Sequence, residues 1–174
     1  MTKYIVKDIE GVMCYLPYGL VVGMVVAILL AVINDCRVKR KKSPFCVPAI
    51  TGYIVYLVVL LFITFWSRED GNRNAMDLEL FSTWGINDRN NAFVFENIML
   101  FIPYGFFTAW VIPFARKLWS SILVGVGTSI LIEILQLVTG RGFFQIDDVL
   151  TNGLGAVIGY VLYRVIAGVF VRFR

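Results

Sequence analysis

Gly19 to Ile33 reads GLVVGMVVAILLAVI, and the uncharged stretch around it extends from Gly11 to Asn34. A run of this length covers about 30 Å of hydrocarbon as a helix. Nothing in it alternates with period two or leaves a polar face, so it fits neither a half-buried strand nor a surface helix. A cleavable leader would have a basic start and a shorter apolar core. Here Asp8 and Glu10 precede the run and Asp35 follows it, so the segment is expected to stay in the mature chain.

The remaining sequence repeats the pattern. Apolar stretches of spanning length fall at about 44–67, 97–115, 118–140 and 149–171, with a long loop at 68–96. The whole chain is 59% hydrophobic and 16% charged over 174 residues, with a mean hydropathy of +0.77. Soluble domains carry about 25% charged residues, so a water-facing surface is excluded. The expectation is one all-α domain over 1–174, an integral membrane bundle of five transmembrane helices.

Lys and Arg counts orient it. Arg37, Lys39, Arg40, Lys41 and Lys42 crowd the loop after the first span, which places that loop in the cytoplasm. Alternation then sets the N-terminus outside and the C-terminus inside. Ten of the 12 acidic residues fall outside, so the net charge of +4 reflects topology rather than nucleic-acid binding. Arg164, in the last span, lies near enough to the inner end to snorkel to the headgroups.

With no histidine and only Cys14, Cys36 and Cys46, the chain cannot build a Ser-His-Asp triad, a haem site or a His-ligated zinc site. The cysteines imply no disulfide framework, and no cofactor is expected. What remains is a set of carboxylates, amides and an arginine. Glu133 lies inside the fourth span, where an ionisable side chain costs a few kcal/mol and marks a candidate site. Gln136 shares its helix face at i+3. Arg141, Asp147 and Asp148 follow in the short loop TGRGFFQIDD, Asn152 stands one turn into the last span, and Asn97 opens the third. These seven residues are expected to form a ligand-binding cluster opening on the outer leaflet, with no assigned metal. Gly155 and Gly159 continue the stripe of Asp148 and Asn152 along one face of the last helix. With Pro103 and Gly105 they are assigned to close helix packing.

The series Asn97-x-x-x-Phe101-x-Pro103-x-Gly105, Glu133-x-x-Gln136, Arg141, Asp148-x-x-x-Asn152 and Gly155-x-x-x-Gly159 resembles the VanZ-like family. The outer loop departs from the family's Asn-Leu-Ile-Pro-Phe-like stretch, its nearest match being Asp77-Leu78-Glu79-Leu80-Phe81. The resemblance implies a multi-pass protein of the bacterial plasma membrane that lowers susceptibility to teicoplanin and other lipid-tailed glycopeptides. It supplies a phenotype and no reaction. The residues suit a non-enzymatic protein engaging an outer-leaflet amphiphile, either the lipoglycopeptide or a cell-wall lipid precursor, among membrane lipids, with room for a homo-oligomer. The alternative is a membrane enzyme acting on a lipid-linked envelope headgroup, with Glu133 as acid or base and Asp148 assisting.

Overall fold

The computed structural model describes residues 1–66 and 75–172, with side chains through Gly168. Among the described residues there are six α-helices: α1 (Thr2–Met13), α2 (Leu16–Lys39), α3 (Val47–Leu61), α4 (Asp88–Val111), α5 (Leu118–Val138) and α6 (Ile146–Arg172). All but α1 are long and apolar enough to cross a membrane, α3 being extended by a π-helical turn at Phe62–Trp66. The chain is therefore an all-α, five-span bundle. Helix α1 is an amphipathic addition absent from the sequence-based expectation, held to α4 by an Asp8–Arg89 ion pair of 2.8 Å. Arg89 also lies over the Tyr4 and Phe93 rings.

Several boundaries differ from those expected, each for a local reason. The first span starts at Leu16 rather than residue 11, because Pro17 occupies the first turn where its missing N–H costs nothing. It continues to Lys39, taking in Arg37. Helix α4 starts at Asp88, nine residues before the expected 97: the Asn87 side chain caps it by accepting the Asn90 N–H, and Asp88 complements the N-terminal dipole. It ends at Val111, since Pro113 starts a separate 3-10 turn, Pro113–Arg116. The expected loop at 68–96 thus gives up residues 88–96 to helix. Its beginning at 68–74, and Ser67 at the end of the expected second span, lie outside the described residues.

The centre of the bundle is α4 against α6, and glycines set how close they come. A β-carbon on Gly155 or Gly159 would overlap the Ile98 or Ile102 carbonyl oxygen of α4, and one on Gly105 would overlap the Ala156 carbonyl oxygen of α6. Backbone-to-backbone approach of this kind gains dispersion contacts that lipid tails cannot match. Pro103 sits inside α4 between these contacts. Gly125 of α5 faces the Ala156 methyl. The core is completed by Phe101, Tyr104, Tyr53, Leu60 and Ile132. Interhelical hydrogen bonds pin it: Tyr53 Oη to Thr108 Oγ1 at 3.0 Å, Tyr104 Oη to Thr128 Oγ1 at 2.6 Å, and Tyr56 Oη donating to the Leu100 carbonyl at 2.6 Å. Each contributes about 0.6 kcal/mol in a membrane setting. Helix α2 is peripheral, burying only Gly19 and Gly23, which seat against Val55 of α3.

Because the spans alternate in direction, the bundle has two chemically distinct ends. One carries Arg37–Lys42, Arg116 and Lys117; the other carries α1, the 75–87 segment and the α5–α6 connection with its acids. These are called the basic and the acidic end below.

Candidate functional site at the acidic end

One face of α5 carries Ser121, Gly125, Ser129, Glu133 and Gln136, all buried. The i, i+4 spacing explains why: these small and polar residues form a single stripe, which turns away from lipid toward α3, α4 and α6. Helix α6 runs antiparallel to it. Asn152 Nδ2 donates to Ser129 Oγ at 2.8 Å and Gly125 faces Ala156, so this register brings Asp148 level with Glu133.

Glu133 is only 2% exposed, and its Oε2 accepts the Gln145 N–H at 3.1 Å. Gln145 belongs to a two-residue strand, β2 (Phe144–Gln145), paired in parallel with β1 (Met76–Asp77). The buried carboxylate therefore anchors the strand to which the 75–87 segment is attached. Asp147 extends the attachment. Its two carboxylate oxygens accept the Phe81 N–H at 2.7 Å and the Thr83 N–H at 2.9 Å. Between these points the segment is folded on itself, with Asp77 accepting from the Glu79 N–H and the Ser82 hydroxyl. Phe81 has a φ of 63°, a left-handed conformation that costs a non-glycine residue about 1 kcal/mol or more and persists only where neighbours impose it.

Gln136 and Arg141 face a different helix. Gln136 Nε2 donates to the Thr64 carbonyl at 3.1 Å and Arg141 Nη1 to the Phe65 carbonyl at 3.0 Å. Both acceptors lie in the π turn that ends α3, where a helix has carbonyls without intrahelical partners. Arg141 is aimed there by a Schellman closure of α5: Gly140 has a φ of 68°, its N–H bonds the Leu137 carbonyl, and the Arg141 N–H bonds the Gln136 carbonyl. Any other residue at 140 would strain that turn.

Of the seven residues anticipated from the sequence, six fall into three groups about α5. Gln136 and Arg141 close the end of α3. Glu133, Asp148 and Asn152 line the α5–α6 seam, Asp148 being half-buried, and Asp147 holds the external segment. Asn97 is half-buried on α4. Glu133 and Asn152 are buried in that seam rather than exposed at its end. Two acceptors in this region, Gln136 Oε1 and Asn152 Oδ1, have no hydrogen-bond partner among the described residues, although their side chains are 1% and 4% exposed. Among the described residues no three Cys, Asp or Glu side chains come together as a metal-ligand set.

Sequence reasoning missed Ser129, which lies on the same stripe four residues before Glu133 and could have been found from that spacing. It also missed an apolar slot of about 120 Å³ between α4 and α6. Val94 and Ile98 of α4, Asp147, Leu150, Thr151 and Leu154 of α6, and Phe81 and Trp84 line it. Leu78, Leu80, Phe81, Trp84 and Ile86 of the external segment are all exposed, an apolar surface suited to the headgroup region of a bilayer.

A five-span bundle with buried polar seams and an apolar 75–87 segment at one end defines an integral membrane protein. Residues 53–167 match the family model VanZ/LLP1. The chain belongs to that family, and the matched region runs from within α3 to within α6, leaving out α1 and α2. Neither the curated proteins nor the solved structures give a match to the chain.

Proposed function

We propose that this protein lies in the bacterial plasma membrane with its acidic end outward and engages an outer-leaflet amphiphile there, lowering susceptibility to lipid-tailed glycopeptides. The observation that carries the reading is the adjacency of two surfaces at Asp147. The same side chain borders the apolar slot and fastens the segment at Phe81 and Thr83. An acyl chain entering from the leaflet would occupy the slot, while its headgroup would meet Asn97, Asp148 and the rim beside Asp147. The Asn152 oxygen, without a hydrogen-bond partner among the described residues, favours a headgroup rich in N–H or O–H donors, such as a sugar or peptide portion.

The experiment is the susceptibility of a sensitive Gram-positive host to teicoplanin and vancomycin, with the chain expressed as wild type, Glu133→Gln or Asp148→Asn at equal membrane abundance. The expected result is protection against teicoplanin and little against tail-less vancomycin, lost in both variants. Equal protection against the two antibiotics, or none against either, would refute dependence on the lipid tail.

A second reading rests on the register that sets Asp148 level with Glu133. A buried carboxylate beside a more accessible one can divide acid and base roles at a lipid-linked headgroup. It requires an envelope lipid profile altered by wild type and not by Glu133→Gln. An unchanged profile leaves the binding reading alone.

A further inference from the structure

The basic end carries cations for which the protein supplies few counter-charges. No Asp or Glu occurs in residues 36–68, 97–132 or 149–174, so among the described residues the only acidic side chain near that end is Asp35, and it is paired with Lys39 at 2.6 Å. Arg116, Lys117 and Arg164 form no ion pair among the described residues.

Three of the groups there are held together. Arg164 Nη1 donates to Tyr160 Oη at 3.0 Å, with the guanidinium 5.9 Å from the centre of that ring, and Tyr160 Oη donates to the Arg116 carbonyl at 3.2 Å. This chain fixes the Arg164 guanidinium two hydrogen bonds away from the backbone of Arg116, one residue before the N-cap of α5. That cap is Lys117, and it makes no side-chain cap hydrogen bond among the described residues. The 21-residue α5 therefore presents free amides and the positive end of its dipole beside the three cations.

A further observation points to a ligand. In the register that pairs Gly125 with Ala156 and Ser129 with Asn152, Ser121 lies opposite Tyr160. Ser121 is 2% exposed and its hydroxyl has no hydrogen-bond partner among the described residues. The Ser121 hydroxyl, the free amides of α5 and the Arg164 guanidinium thus share the α5–α6 seam at the basic end, flanked in sequence by Arg116, whose Nη2 donates to the Trp110 carbonyl at 3.4 Å, by the exposed Lys117 and by Trp119, 81% exposed and of the residue type that membrane interfaces favour.

We infer that the N-terminus of α5, with Arg116, Lys117 and Arg164, is a binding site for a phosphate group, carried by an anionic phospholipid of the leaflet that covers the basic end or present as free phosphate. Arginine suits such a partner because its fork of N–H donors matches two phosphate oxygens. Tyr160 is the positioning residue, orienting Arg164 without itself carrying charge.

The test is native mass spectrometry of the purified full chain in detergent, titrated separately with phosphatidylglycerol, phosphatidylcholine and inorganic phosphate. Each interfacial cation is worth about fivefold in anionic-lipid affinity, so Arg116→Gln should weaken phosphatidylglycerol binding about fivefold and Arg116→Gln/Arg164→Gln roughly 25-fold. Phosphatidylcholine binding should not change, and Arg116→Lys/Arg164→Lys should keep most of the affinity. Inorganic phosphate binding that is lost in the Gln variants would support the site with free phosphate as its ligand. Arg116 is exposed, so its single variant tests the site even if the double variant does not fold. Phosphatidylglycerol binding unaltered by Arg116→Gln, or weakened equally by Lys41→Gln/Lys42→Gln in the neighbouring loop, would overturn the inference, the latter because diffuse charge would then explain it.

Discussion

Replacing Asp147 by Asn should release the external segment while leaving the bundle intact. The aspartate accepts two backbone N–H groups, from Phe81 at 2.7 Å and Thr83 at 2.9 Å, and its side chain is buried under the residues it holds. Hydrogen bonds to a charged acceptor contribute about 1.5–3 kcal/mol each, and a neutral one about 1 kcal/mol. Asparagine keeps one acceptor oxygen and turns an NH₂ toward the second N–H, so one bond weakens and the other becomes a contact between donors. Partial solvation at Phe81 reduces the difference, leaving about 2 kcal/mol for local opening, or roughly a 30-fold change in its equilibrium constant. Hydrogen–deuterium exchange on the protein in detergent or nanodiscs measures this directly. The Phe81 and Thr83 amides should exchange roughly 30-fold faster in the variant, while amides near Ala109 and Ala156 in the core keep their protection. Unchanged exchange at Phe81 and Thr83 would mean that the two-residue β ladder holds the segment without Asp147. A uniform rise across α4 and α6 would mean that Asp147 supports the whole fold, and the idea of a separately fastened segment would fail.

Two substitutions test the packing beneath that segment. Gly159→Ala should destabilise the bundle by about 1–3 kcal/mol, because the new methyl meets the Ile102 carbonyl oxygen and the Phe106 nitrogen, both backbone atoms of α4. Gly127→Ala, with no atom within 4 Å of the added carbon, should stabilise α5 by about 0.5–1 kcal/mol; thermal unfolding in detergent distinguishes the two, and equal shifts would contradict the assigned α4–α6 contact. Gly140→Ala should cost about 1 kcal/mol through its φ of 68° and loosen the Arg141 bond to the Phe65 carbonyl. Faster exchange around residues 139–141 together with a lowered unfolding temperature would verify it, and an unchanged protein would mean that the turn is not under strain.

Much of the architecture is legible in the linear sequence because a bilayer imposes length. An apolar run of about 20 residues with at most one ionisable side chain has few alternatives to a spanning helix, and five such runs account for α2 to α6 to within a few residues at most boundaries. The largest boundary error, at the start of α4, occurred where hydropathy is uninformative. Asp88, Arg89 and Asn90 read as loop by composition, yet Asn87 caps a helix there, and α1 provides Asp8 for Arg89. Helical periodicity also reveals faces: 121, 125, 129, 133 and 136 on α5, and 148, 152, 155 and 159 on α6.

Periodicity says which side chains share a face and nothing about which neighbour that face meets. That depends on the rotation and register of helices far apart in the chain, decided by where backbones approach most closely. Gly105, Gly155 and Gly159 bring α4 and α6 together, and the Ser129–Asn152 bond then sets α5. Only after those choices do Gln136 and Arg141 reach the end of α3, and Asp147 the segment at 81–83. The sequence by itself determined the number of spans and the side chains turned inward, since hydrophobic length and helical pitch are local quantities. The tertiary structure alone decided what each buried polar group grips and where the apolar slot opens, since those follow from nonlocal backbone contacts.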